Sequence, residues 1–100
     1  MYRQGDVLII PVSEVPNDVE EVPREDGRTV LARGEATGHA HAINSRFAHL
    51  VAKGAERYLR AERPVMLRHE EHSKIHLPAG QYRVIIQREY HPESVRNVLD

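Results

Sequence analysis

The chain has 100 residues, 40% of them hydrophobic and 29% charged, with a net charge of −1 and no cysteine. That composition describes one globular domain with a modest core. It excludes disulfides, thiolate metal sites and a cysteine nucleophile, and it lacks the basic excess usual in a general nucleic-acid binder.

No apolar run approaches the ~20 residues of a membrane helix. Residues 1–6 lack the basic and apolar regions of a secretory leader, and a cytoplasmic protein is expected. Residues 6–12 are apolar and rich in β-branched side chains, which predicts a strand buried on both faces. Residues 13–27 hold Pro16, Pro23, Gly27 and six acidic side chains against Arg24 alone. They predict a solvated acidic loop, longer than a compact domain usually carries; a cation-attracting flap is the sharper reading.

Strand character resumes over 28–32, and Gly34 and Gly38 bracket the next three residues. Residues 39–44 predict a strand with His39, His41 and Ile43 on one face and Ala40, Ala42 and Asn44 on the other. A short apolar segment follows over 47–52, and residues 56–61 hold Tyr58 and Leu59 in a hairpin-like position, with a helix over 55–63 as the weaker alternative. Residues 64–69 predict a strand whose inward face is Val65, Leu67 and His69. After 73–77, the run Leu77-Pro78-Ala79-Gly80 suits a type I turn. The clearest strand is 82–90, with Tyr82, Val84 and Ile86 on one face. Residues 94–99 predict a last strand or a helical turn. About seven to nine short strands with closely spaced turn signals predict an all-β domain, a small barrel or sandwich.

Seven histidines in 100 residues are the chemical signal. His39 and His41 are two apart, so on a strand their imidazoles point the same way, about 7 Å apart along the chain. Two rings so placed converge on one metal ion. His69 and His72 flank Glu70 and Glu71; they face opposite sides of a straight strand but converge where a strand ends in a turn. Such a set suits zinc, iron, nickel or manganese. The expected ligands are His39, His41, His69 and His72, with Glu71 a ligand or catalytic base. The bland reading makes these histidines hydrogen-bonded core residues. His76 belongs beside Lys74 on the outer face, His49 is ambiguous, and His91 is a turn residue. Arg88 shares a face with Tyr82 and Val84, and a carboxylate partner or solvent are its two readings.

Two resemblances follow. Gln4-Gly5-Asp6-Val7, Gly38-His39-Ala40-His41, His69-Glu70-Glu71-His72 and the run from Leu77 to Tyr90 together resemble a family of small uncharacterised bacterial proteins, to which no activity attaches. Gly34 followed by His39 and His41 resembles the first motif of the cupin superfamily, which implies a β-barrel with metal inside. The glutamate of that motif is missing, and Pro78 and Gly80 follow His69 and His72 where the cupin order reverses them. The functional expectation is a metal-binding β domain, with metal-dependent hydrolysis or oxygen chemistry if a coordination position stays open. The competing expectation is a non-enzymatic module that pairs edge strands with a second copy or another protein.

Overall fold

The computed structural model describes residues 1–34 and 38–87. Ten strands fill them: β1 (Tyr2–Gln4), β2 (Val7–Val12), β3 (Glu20–Glu21), β4 (Thr29–Arg33), β5 (Ala40–Ile43), β6 (Ala48–Lys53), β7 (Glu56–Ala61), β8 (Val65–Arg68), β9 (Ile75–Leu77) and β10 (Gly80–Ile86). They form a six-stranded sheet, β1-β2-β10-β7-β6-β3, and a four-stranded sheet, β4-β5-β8-β9. Every pairing is antiparallel. The fold is all-β as the sequence predicts. Of the two architectures expected it is the open, two-sheet one, not a closed barrel.

Alternation of apolar side chains gives both sheets one buried face. Val7, Ile9, Leu50, Leu59, Tyr82 and Val84 come from the large sheet, and Leu31, Ile43, Val65, Leu67 and Leu77 from the small one; together they make a single core cluster. Two glycine turns set the register of the large sheet. Gly5 (φ 60°) and Gly54 (φ 62°) stand first in the two-residue turns joining β1 to β2 and β6 to β7. That is where a type II′ hairpin needs positive φ. In the small sheet the register shifts between Val30 and Ala32. Leu31 and Ala32 therefore both reach the main core, while Val30 joins a separate cluster with Ala40 and Ala42. Such a bulge re-aims the side chains around it.

Some expectations are corrected. Residues 55–63 are not helical: β7 is held between β6 and β10, and two ladders of hydrogen bonds outweigh a propensity difference of tenths of a kcal/mol per residue. The acidic stretch 13–27 is not structureless. Glu20 and Glu21 pair with β6 as β3, and Val15 packs with Val51 and Tyr58. Arg24 donates hydrogen bonds to Thr29 Oγ1 and to the carbonyls of Ser45, Arg46 and Ala48. The strand at 6–12 is buried on both faces only over Val7, Leu8 and Ile9; Pro11 is exposed. Residues 77–80 carry the chain through a bend from β9 in the small sheet to β10 in the large one. The expectations for Arg88, Tyr90, His91 and 94–99 lie outside the described residues. Among the described residues, no helix is long and apolar enough to cross a membrane.

Candidate metal centre

The end of the small sheet gathers four imidazoles. His39 enters β5, His41 lies within it, and His69 follows β8. His72 sits in the irregular 69–74 segment before β9. Ring centroids are 4.2 Å apart for His41 and His69, 4.6 Å for His69 and His72, 5.6 Å for His39 and His69, and 5.9 Å for His41 and His72. His39, just before β5, and His41, within it, both pack against the His69 ring. His69 and His72 meet because β8 stops at Arg68 and the chain bends over residues 70–72.

His41 is 2% exposed, and its tautomer follows from its neighbour. Gln4 Nε2 donates to Leu67 O (3.1 Å) and Ser73 O (2.9 Å). Both amide protons are thus spent on carbonyls, and the Gln4 oxygen faces His41 Nδ1 at 2.9 Å. An oxygen only accepts, so Nδ1 carries a proton, and in the neutral ring Nε2 keeps its lone pair. His41 Nε2 lies 3.6 Å from Asp6 Oδ1.

His69 is held in the opposite sense. The Glu71 backbone N–H donates to His69 Nδ1 at 3.0 Å, so in the neutral ring the proton sits on Nε2. Glu70 is pinned by the Ala40 N–H, which donates to its Oε1 at 3.0 Å. That bond first, then its own backbone N–H, holds the Glu70 carboxyl below the usual range against a smaller opposing desolvation; His39 and His69 lower it further. Glu71 stands at the rim, with Oε2 3.7 Å from His39 Nδ1 and its side chain 68% exposed.

The donor atoms of His39, His69 and Glu70 lie within 4.8 Å of one another. His41 and His72 flank that set on the side of Asp6 and Gly5. A Cβ at Gly5 would stand 2.8 Å from His72 Nε2 and 3.3 Å from His41 Cε1. One at Gly34 would stand 2.8 Å from His39 Cβ and 3.0 Å from His69 Nε2. Two glycines therefore give the rings their room.

Sequence reasoning singled out all four histidines but favoured Glu71 over Glu70 and gave Gln4 and Asp6 no role. The Gly5-Asp6 pair between strand-forming residues was the available signal, since a hairpin there brings the β1 end beside β2. Of the other histidines, His76 is exposed on β9 as expected. His49 bridges Glu62 (2.8 Å) and Glu21 (3.5 Å) on the large sheet, away from the cluster.

No curated protein and no solved structure matches the chain. Nothing ties it to the cupin superfamily, and its sheets do not close as a cupin barrel would. The uncharacterised family that the motifs resemble has a counterpart in a coarser form. A family model described as a domain of unknown function, DUF8820, matches residues 3–87, and the chain belongs to that family.

Proposed function

We propose that the four-histidine cluster binds a divalent transition metal, with His39, His41 and His69 as ligands, His72 beside them and Glu70 completing the set. The observation that supports this reading is the Gln4–His41 pair. A buried side chain whose two amide protons are both spent on carbonyls holds the His41 imidazole by Nδ1, with the His69 and His72 rings 4.2 and 5.9 Å away. Metal-ligating histidines are held in this way through their second nitrogen.

Neighbouring ligands on a tetrahedral ion with bonds of ~2.1 Å lie roughly 3.4 Å apart. The donors of His39, His69 and Glu70, within 4.8 Å of one another, would have to close to that spacing around an ion, and His41 would have to join them. Nitrogen and carboxylate donors without sulfur suit zinc, iron, nickel or manganese. At His69 a metal would compete with the Glu71 N–H for Nδ1 or with the proton for Nε2, which would couple occupancy to the 69–74 segment. With a coordination position open, such an ion would supply an activated water, and Glu71, exposed at the rim, would be the carboxylate to take its proton.

Metal content of the untagged protein by plasma mass spectrometry tests this, alongside a His39→Ala/His41→Ala variant. Near-stoichiometric metal in the parent, lost in the variant, is the expected result. No metal as purified and no uptake from a mixed-metal solution would overturn it.

A further inference from the structure

The outer face of the small sheet carries a second feature. Ala40, Ala42 and Asn44 alternate with the inward histidines along β5. Ala40 and Ala42 are almost wholly buried, and Asn44 is exposed. Arg68 on β8 is the direct partner of Ala42 across the ladder. Thr29 on β4 partners Ile43, which puts Arg28 abreast of Asn44 on the other flank. Two arginines therefore stand on either side of a floor of small side chains. Together they line a cleft of about 340 Å³ whose far end is His69 and Glu70. Among the described residues neither Arg28 nor Arg68 is in an ion pair, whereas Arg33, close by on β4, is paired with Glu25.

We propose that this cleft binds a small organic dianion, a phosphate monoester or a dicarboxylate, clamped between Arg28 and Arg68 above Ala42 and directed at the histidine cluster. The volume suits a small ligand. Two planar guanidiniums present paired N–H donors to phosphate or carboxylate oxygens. The alanine floor lets such a ligand lie against the backbone. Glu70 repels an anion from the far end, so the charged group sits toward Arg28 and Asn44 and the remainder of the molecule reaches His69. The role of the cleft as a substrate site rests on the metal reading above; its affinity for the dianion does not.

The test is a two-dimensional NMR titration of the protein, as purified and after chelation, with inorganic phosphate in one arm and succinate in the other. Saturable shifts at Ala40, Ala42 and Asn44 are expected in both metal states, and the tighter arm names the group. Arg68→Gln and Arg28→Gln each weaken binding by about tenfold, the loss of one charge-assisted hydrogen bond, and Arg68→Lys weakens it less. The spectra of the variants report their folding directly. Absence of saturable shifts in both arms, or affinity indifferent to both arginine substitutions, overturns the proposal. Metal analysis of the same samples separates the two ideas: protein that binds the dianion but never metal keeps the cleft and loses the metal centre.

Discussion

Gln4 and His41 meet in the buried end of the sandwich, Oε1 to Nδ1 at 2.9 Å, though 37 residues separate them in the chain. Replacing Gln4 by Leu leaves the Leu67 and Ser73 carbonyls and the His41 Nδ1–H without this partner. The expected loss of stability is about 1–3 kcal/mol per unpaired buried group, read by urea denaturation. Zinc affinity, measured by competition with a chromogenic chelator, falls about 10–100-fold as the imidazole loses its orienting partner. Unchanged zinc affinity in a folded Gln4→Leu protein would remove His41 from the ligand set.

Gly5 and Gly54 have nearly the same φ, 60° and 62°, in equivalent turns. A Cβ on Gly54 meets nothing within 4 Å, whereas one on Gly5 meets His72 and His41. Gly54→Ala therefore measures backbone strain alone, about 1–2 kcal/mol. Gly5→Ala carries the same strain and also displaces His72. The expected outcome is a larger fall in the denaturation midpoint for Gly5→Ala, with perturbed histidine ring resonances that Gly54→Ala does not show.

Leu67 is fully buried in the core of the small sheet, two residues before His69. Leu67→Ala costs about 2–5 kcal/mol through lost burial and the cavity left behind. Chemical denaturation measures it. Met66→Ala on the same strand is the control and costs less, since Met66 is only partly buried.

Tyr82 gives the alkaline limit. Burial first, and then the neighbouring Tyr2, push its phenol above the ordinary value of 10.0. The folded state holds that proton more tightly than the unfolded chain. The contribution to stability is whole below about pH 10 and is lost as pH rises through the folded value. Tyr82→Phe flattens the fall of the denaturation midpoint on the alkaline side. A residual slope stays with Tyr58, whose phenol is raised chiefly by its hydrogen bond to Glu56.

The legible parts of the fold are those where one side-chain period dominates. Tyr82 and Val84 alternate inward on β10, and Val65 and Leu67 do so on β8. The strands missed, β1 and β3, have three and two residues. At that length no alternation exists to read, and pairing with β2 and β6 defines them. The four histidines were legible because two lie at strand spacing and two flank a strand end. Gln4 was not, because a lone glutamine announces nothing until a hairpin and the docking of two sheets bring it to His41. The choice between Glu70 and Glu71 turned on the backbone N–H of Ala40, which no side-chain pattern encodes.

The route by which Gln4 reaches across to Leu67 and Ser73 has a kinetic side. Those bonds span 63 and 69 residues, so the ring cluster takes shape only after long loops have closed. Non-local contacts of this kind slow folding. They also tie the cluster to the global opening reaction rather than to local fraying. Any ion or small molecule held there protects the central amides of both sheets against hydrogen exchange together, and it raises the midpoint of the whole transition by mass action.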